Sequence, residues 1–476
     1  VSLRRKAISS ALWSAARLGV DQVFLLIMFV LITRKVTPAE VGSFVLVSSI
    51  IELFRLPISA IADAVIRSSD NETPNVAFWS SVVFAVVAMV LLNVVVFFAG
   101  PYLQLNNQGM IFLAMTTLLP LSALCTTHMS LLLRSFDHRV MTICTLAAGV
   151  CGGLLGYVMA VNGYGTWSLV AQKLLAEVVY VAFSWYFARW VPNFDMTWNG
   201  FREFINYTWH TFLSSSTGVI GVRLQEFILG VFLGLQAVAA VRVAWRLVDV
   251  INAATIQPMF AVMLPLFGAV RDDKEKLDRA IYSTTVLGSL LTIPAALGFA
   301  VVGSDAVEII FGKDWRTAGD IAAVLGLIVP INLLTSVYSR SFSAIGLPNL
   351  NALVGFAGLT VYCAVAIAAS YLGLSYYAGL AFFGQVALLL FQLFILSRRT
   401  DMSARRSIKA MLPSVIASVV MYAVLVGLSH AGLIPATDPI VHVAVLSLLG
   451  ALVFVAVMMS LFRLHTVSII RILIPK

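Results

Sequence analysis

The chain has 476 residues, of which 60% are hydrophobic and only 11% charged, with a formal net charge of +9. At a mean hydropathy of +0.97 this balance excludes a soluble globular domain of the same length, and apolar runs of about 20 residues repeated from end to end mark spanning helices rather than the short alternating strands of a barrel. The four cysteines, Cys125, Cys144, Cys151 and Cys363, lie in apolar runs without CxxC spacing, and neither HExxH nor GxxxxGK[ST] occurs, so a disulfide framework, a zinc site, metal hydrolysis and direct use of ATP have no residue basis.

In chain order, Ser2-Leu3-Arg4-Arg5-Lys6 and the apolar run behind it resemble the start of a signal peptide. That run continues to about residue 33, contains Arg17 and Asp21 and is followed by many more spans, so an uncleaved signal-anchor helix is expected. A spanning length of about 20 residues predicts helices over 10–33, 41–64, 77–99, 110–132, 141–161 and 165–188. Between Arg189 and Tyr207, the residues Trp190, Phe194, Trp198, Phe201 and Ile205 recur at spacings of three or four. That pattern suits an amphipathic helix lying in the membrane surface, with Pro192 limiting how early it starts. Further spans follow over 208–232, 236–264, 280–303, 319–344, 350–371, 375–397, 410–431 and 439–462, about fourteen in all. Gly149, Gly152, Gly153 and Gly156 form overlapping small-xxx-small spacings that predict close helix packing. Pro57, Pro120, Pro258, Pro265, Pro294 and Pro330 fall inside predicted helices, where they allow kinks.

Charge placement sets an expected orientation. Of 31 Lys and Arg residues, 21 fall in the loops that share a side with the N-terminus, four (Arg34, Lys35, Lys313 and Arg316) face the other side, and six lie within helices. Cytoplasmic loops retain such residues, so both termini are expected in the cytoplasm. The positive balance is thus a topology signal, with no aromatic interleaving to suggest nucleic acid.

An internal repeat emerges when the helices are numbered. Arg17 corresponds to Arg223 and Arg134-Ser135-Phe136 to Arg340-Ser341-Phe342, both at an offset of 206, and Gly163-Tyr164-Gly165-Thr166-Trp167 more loosely echoes Gly373-Leu374-Ser375-Tyr376-Tyr377 at an offset of 210. Six helices per repeat is an even number, so the halves insert in the same orientation and are related by an axis along the membrane normal. The expected organisation is a six-helix lobe over 1–188, an interfacial linker over 189–207, a second six-helix lobe over 208–398, and two additional helices with a basic tail over 399–476.

Ionisable residues inside these spans are the candidate functional groups, because each costs roughly 2.5–3.5 kcal/mol at bilayer depth on the mildest scale. They comprise Arg17 with Asp21, Glu52 with Arg55, Lys173 with Glu177, Arg223 with Glu226, and Arg242 and Arg246 with Asp249. Spacings of three or four allow each group to neutralise itself locally on one helix face. Arg242 adds a second cation one turn before Arg246 with only Asp249 to share, which points to a polar, slightly basic cavity. Arginine suits phosphate there, since its planar fork donates two parallel hydrogen bonds and stays charged when partly desolvated.

Four segments carry a family resemblance: Arg34-Lys35-Val36-Thr37-Pro38-Ala39-Glu40-Val41-Gly42; Gly163-Tyr164-Gly165-Thr166-Trp167-Ser168-Leu169; Ile228-Leu229-Gly230-Val231-Phe232-Leu233-Gly234; and Ile310-Phe311-Gly312-Lys313-Asp314-Trp315-Arg316-Thr317-Ala318. In this order they resemble the Wzx-type polysaccharide flippases of the multidrug/oligosaccharidyl-lipid/polysaccharide exporter superfamily. One departure is Val238-Ala239-Ala240-Val241, where relatives often have a Gly-x-Tyr step. The resemblance implies two six-helix lobes, alternating access through a central cationic cavity, no enzymatic activity and a place in a bacterial inner membrane. It also implies an undecaprenyl-diphosphate-linked oligosaccharide as substrate, membrane lipids as surroundings, and polymerase and chain-length proteins of the same pathway as candidate partners. On that reading Arg223, Arg242 and Arg246 bind the diphosphate with Arg17 and Arg55 from the opposite lobe, and Asp21, Glu52, Glu226 and Asp249 are candidates for ion coupling. Trp315 is expected as an interfacial anchor rather than a sugar-stacking group. Rival readings are a multidrug antiporter, whose relatives usually stop at twelve helices, a lipid II flippase, and a polymerase or ligase, which would expose a longer outer loop than Ser304 to Asp320.

The orientation is tested by reporter fusions: a fusion at Thr400 is expected to report the cytoplasm and one at Asp314 the periplasm, and the reverse assignment overturns this topology.

Overall fold

The computed structural model describes residues 24, 26–67, 73–99, 106–135, 137–194, 198–399, 404–431 and 439–462. Every regular element among them is helical. A short helix α1 over 26–33 is followed by α2 (Pro38–Arg67), α3 (Thr73–Ala99), α4 (Asn106–Thr116), α5 (Leu118–Arg134), α6 (His138–Val161), α7 (Thr166–Ala188), α8 (Trp198–Leu233) and α9 (Leu235–Thr255). The chain continues through α10 (Gln257–Ala269), α11 (Lys274–Phe311), α12 (Arg316–Leu325), α13 (Val329–Ala344), α14 (Pro348–Leu372), α15 (Leu374–Arg399), α16 (Ala404–His430) and α17 (Pro439–Leu461). Twelve candidate spans are long and apolar enough to cross a membrane. These twelve are the spans among the described residues, and the protein is an all-α polytopic membrane protein.

Prolines and glycines punctuate these passages in ways that periodicity alone does not reveal. The predicted helices 110–132, 236–264 and 319–344 are each interrupted, at Thr117, at Ile256 and at a 3₁₀ turn over Gly326–Ile328. Pro258 and Pro330 lie in the first turn of α10 and α13, where a missing N–H costs nothing, and Pro120 stands near the start of α5. Pro57 and Pro294 remain inside continuous helices. The segment from Ser304 to Asp320 is no open connection. Instead, α11 runs on to Phe311, Gly312 turns the chain at φ 103°, and Ser304 Oγ donates to Asp320 Oδ1 at 2.8 Å. Trp315 is only 3% exposed and packs near Phe311, so it is a core residue and not an interfacial anchor.

The expected surface helix between Arg189 and Tyr207 is not formed over its described first part, 189–194. Arg189 adopts a left-handed conformation that ends α7, and 190–194 is irregular. The carbonyl of Asn193 accepts from Trp79 Nε1 at 3.1 Å, its N–H donates to Asn75 Oδ1 at 2.9 Å, and Phe194 stacks on Trp79. His128 Nε2 lies 3.1 Å from the carbonyl oxygen of Trp190. With its polar backbone groups met by α3 and α5, this stretch has no need of helical hydrogen bonds. Helical structure resumes at Trp198 and continues without a break to Leu233.

Contacts divide the chain into two compact units, Val1–Ala239 and Ala240–Lys476. In the first, the core gathers Val47, Ile51, Ile58, Met115, Leu118 and Val170 from α2, α4, α5 and α7. The most extensive helix pair is α6 with α7. It is close because Gly152 backs onto Gln172 and Ala176 of α7, while Gly153 faces Met28 of α1 and Gly156 faces both Gln172 and Ile32. In the second unit, Ile293, Tyr338, Phe342, Leu396 and Met411 form one cluster, and Val302, Met421, Leu425 and Leu446 form another that seats α17 against α11 and α16. Ser289 and Ser414 hydrogen bond at 3.1 Å, so α16 is an integral part of this unit, while α17 exposes Ile440, Leu448, Leu452 and Met459.

One end of the first unit is a clasp built from three of the segments singled out by sequence. Thr37 and Glu40 form a capping box at the start of α2: Thr37 N–H and Oγ1 each donate to Glu40 Oε2 at 2.8 Å, and Glu40 N–H returns a bond to Thr37 Oγ1 at 3.4 Å. Thr166 Oγ1 donates to the Glu40 carbonyl at 3.2 Å, and Gly165, at φ 53°, lies against the Glu40 carboxylate where a Cβ would overlap it. Gly42 faces the backbone of Leu235 so closely that any Cβ there would collide with the Leu235 carbonyl.

Because that obstacle is backbone, Gly42→Ala is expected to lower stability by about 1–3 kcal/mol. The control Gly218→Ala, where a Cβ meets nothing within 4 Å, is expected to leave the melting temperature of purified protein unchanged or slightly raised. Equal melting temperatures for the two variants would refute the close approach.

Candidate functional site

Ser49, Glu52 and Arg55 stand at successive i,i+3 positions of α2, so they share one face, about 16–26 Å along the helix from Pro38 at 1.5 Å per residue. On α7, Lys173 and Glu177 are one turn apart, about 10–17 Å from Thr166, and on α8 Arg223 and Glu226 lie about 10–15 Å from Leu233. The Pro38, Thr166 and Leu233 ends meet at the clasp, and the six ionisable groups lie about 10–26 Å along their helices from it.

Their pairing crosses between helices. Lys173 Nζ pairs with Glu52 Oε1, and Arg55 Nη2 donates to Glu177 Oε1 at 2.8 Å. Arg55 Nη1 is 3.6 Å from Glu52 Oε1, which closes an alternating chain of Lys173, Glu52, Arg55 and Glu177. Cys125 Sγ of α5 lies 4.0 Å from the same Glu177 oxygen. The local Lys173–Glu177 neutralisation allowed by their spacing is not formed, because α2 presents an opposite charge to each of them at the same depth. Arg223 and Glu226 do pair locally, at 2.8 Å, and Ser49 Oγ donates to the same Glu226 oxygen at 2.8 Å, joining α8 to α2. Among the described residues, Arg223 Nε is buried and lacks an acceptor. Arg223 also acts electrostatically on Glu52.

In the second unit, Arg242, Arg246 and Asp249 occupy one face of α9. Val241, Val243, Ala244, Leu247 and Val248 are buried, whereas the two arginines are half-buried and Asp249 is exposed. Arg246 feels Asp249 and Arg242 electrostatically. The rotation of α9 is set from its other side, where Trp245 Nε1 donates to the Tyr377 hydroxyl of α15 at 2.7 Å.

Of the site residues expected from sequence, Arg17 and Asp21 lie outside the described residues. Glu52, Arg55, Arg223 and Glu226 come together in the first unit, and Arg242, Arg246 and Asp249 stand together on α9 in the second. Arg223 therefore keeps company with Arg55 rather than facing it from another unit, owing to the Gly42–Leu235 approach and the Ser49–Glu226 bond. The structure adds Lys173 and Glu177, two of the charged candidates with no assigned binding role, and Ser49 and Cys125 to this site. The sequence signal for the first two was their charge inside an apolar run; for the others there was none.

The arrangement offers partly exposed cations, with side-chain exposures of 32% for Lys173, 22% for Arg55 and 18% for Arg223, each already held by a carboxylate of the protein. Such a site can receive an anion by exchange. Among the described residues, no three His, Cys, Asp or Glu groups converge to hold a metal.

This geometry belongs to a chain with recognisable relatives. Succinoglycan biosynthesis transport protein ExoT of Rhizobium meliloti is 22% identical over 62% of this chain, and the match covers 61% of ExoT, less than two thirds of its length. Lipopolysaccharide biosynthesis protein WzxC of Escherichia coli is 24% identical over 71% of this chain and 69% of its own. Among solved structures, the lipid II flippase MurJ in an inward closed conformation superposes with a TM-score of 0.76 at 14% identity, over 95% of this chain and 99% of MurJ, a likeness of fold. The family model described as "Polysaccharide biosynthesis protein" matches residues 31–320, more than half of the chain, and the protein belongs to that family.

Proposed function

We propose that this protein is a flippase that carries undecaprenyl-diphosphate-linked oligosaccharide repeat units from the cytoplasmic to the periplasmic leaflet of a bacterial inner membrane, for exopolysaccharide, capsule or O-antigen synthesis. The observation that carries the reading is the set of cations within apolar spans that the protein's own carboxylates hold, in a chain of the polysaccharide biosynthesis family. A diphosphate crossing a low-dielectric layer needs compensating charge, and it must be released on the far side. Cations that already have internal partners meet both needs, since the carboxylates take them back when the ligand leaves.

In this proposal Arg55, Arg223, Arg242 and Arg246, together with Arg17, receive the diphosphate. Glu52, Glu226, Asp249 and Asp21 are the groups that reclaim the arginines and couple the cycle to an ion gradient. The repeat halves over 1–188 and 208–398, joined by 189–207, supply the alternating access, and 399–476 adds the last two helices. Both termini are cytoplasmic. Relatives named for succinoglycan transport and lipopolysaccharide biosynthesis support a glycan substrate.

The functional and the merely structural roles of α9 separate in Arg246. Since Asp249 is exposed and Arg246 half-buried, a surface-like pair contributes at most about 1 kcal/mol to folding. Arg246→Gln is accordingly expected to fold with normal yield, to lose at least about tenfold in glycan export, and to gain nothing from Asp249→Asn in the same chain. Arg246→Lys is expected to be partly active, because the charge remains and the bidentate fork is gone. Recovery of export in the double variant would assign Arg246 to structure instead. In proteoliposomes, collapsing the ion gradient is expected to stop net flipping, and full flipping without any gradient would refute obligatory coupling.

A further inference from the structure

We propose that the adjoining ends of α15 and α16 form a seat for an anionic phospholipid, with Arg399, Arg405 and Lys409 binding the headgroup phosphate and the apolar outer faces of the two helices receiving its acyl chains. The seat lies in the second unit alone, and it does not depend on what the protein transports.

Positive charge is concentrated where these helices follow one another in the chain. From Arg398 to Lys409 the sequence holds five cations, Arg398, Arg399, Arg405, Arg406 and Lys409, and one carboxylate, Asp401. Two of the cations are engaged: the Arg398 guanidinium lies 5.5 Å from the centre of the Phe394 ring, and Arg406 Nη1 is 3.8 Å from Asp278 Oδ2 of α11. Arg399, Arg405 and Lys409 are exposed and, among the described residues, form no ion pair. The start of α11, which the Arg406–Asp278 pair places beside the start of α16, differs in this respect. There Arg271, Lys276 and Arg279 pair with Asp272, Asp273 and Glu275 at 3.6, 2.9 and 3.0 Å. An anion arriving at α11 must displace a carboxylate, whereas one arriving at α15 and α16 meets open cations.

The cations also stand at matched heights. Ile395 and Leu396 of α15 and Met411 of α16 belong to one apolar cluster, which sets the two helix ends side by side. At 1.5 Å per residue, Arg399 lies about 5–6 Å beyond that contact, and Lys409 and Arg405 about 3–9 Å beyond it. The headgroup layer of each leaflet is about 5–8 Å thick, so a phosphate at the edge of the hydrocarbon lies level with all three. In the other direction the exposed side chains are apolar and recur at helical spacing, with Phe383, Leu390 and Phe394 on α15 and Ile408, Leu412 and Ile416 on α16. The opposite face of α16, with Ser407, Ala410, Met411, Ser414 and Ala417, is buried in the unit. An anionic headgroup over apolar chains is what such a surface complements, since cations at the membrane surface attract anionic lipids at short range.

The alternative is that these cations are solvated and serve only to orient the chain in the membrane. Native mass spectrometry separates the accounts. The full chain is released from micelles holding equal amounts of dioleoyl-phosphatidylglycerol and dioleoyl-phosphatidylcholine, which share their chains and differ in net headgroup charge. The wild type is expected to retain the anionic lipid at least about fivefold over the zwitterionic one. Arg399→Gln/Arg405→Gln/Lys409→Gln is expected to lose that preference. Arg271→Gln/Lys276→Gln/Arg279→Gln, which removes as many cations from the same end of the unit, is expected to keep it. Should the first triple variant fail to fold, Arg405→Glu alone decides the question, with an expected loss of about threefold in the preference. Equal losses in the two triple variants would show a diffuse field in place of a seat and overturn the proposal, as would a wild type without preference. Displacement of the bound phosphatidylglycerol by an equal concentration of geranyl diphosphate would assign the cations to a polyprenyl diphosphate headgroup and overturn the phospholipid assignment.

Discussion

An ionised side chain within the hydrocarbon layer is tolerated only when another group of the protein meets its charge, and this requirement organises the first half of the molecule. Ion pairs removed from water are rarely strong stabilisers, since the loss of hydration offsets most of the Coulombic gain. Their more certain effect is to restrict which helices can lie together: α2 must present Glu52 to Lys173 and Arg55 to Glu177, and α8 must bring Glu226 to Ser49. A slip of one residue along α2 would rotate Glu52 and Arg55 by about 100° away from their partners. The charges thus fix helix register in a region where apolar side chains alone would accept several.

The clasp at the end of α2 serves the same end with backbone rather than charge. Gly42 permits main chain to meet main chain at Leu235, Gly165 makes room for the Glu40 carboxylate, and Glu40 in turn closes the capping box with Thr37. Three segments far apart in sequence therefore converge on a single glutamate and two glycines. They belong to or adjoin three of the four segments that carry the family resemblance, and in the structure each is shaped to fit the others. The charge network lies about two to five turns along the same helices from this clasp, so the clasp sets the register in which the charges meet.

The second half uses its polar groups differently. Trp245 and Tyr377 hold α9 with an amphipathic hydrogen bond, and Ser289 with Ser414 joins α16 to α11. These bonds are neutral, and on the charged face of α9 Arg242 and Arg246 are half-buried and Asp249 is exposed.

Hydropathy determined the membrane-spanning character, because about 20 apolar residues are required to cross and few other structures need them. The glycines of α6 were legible as a packing stripe for a similar reason: only small residues allow helices to approach in lipid. Charge inside an apolar run identified Glu52, Arg55, Arg223, Glu226, Arg242, Arg246 and Asp249 as residues in need of a partner. Who that partner is depends on distances across helices, which one-dimensional spacing does not contain. Lys173 and Glu177 at i,i+4 could have neutralised each other, and only the rotation and depth of α2 against α7 decided that they do not. The same limit applies to Trp315, whose composition suits a membrane interface while the turn at Gly312 folds it into the core, and to 189–194, whose aromatic spacing suits a helix while Asn75, Trp79 and His128 claim its backbone. Local pattern determines what a segment can bury; tertiary structure decides which neighbour satisfies its polar groups, because hydrogen bonds and ion pairs are short-ranged and directional whereas burial is not.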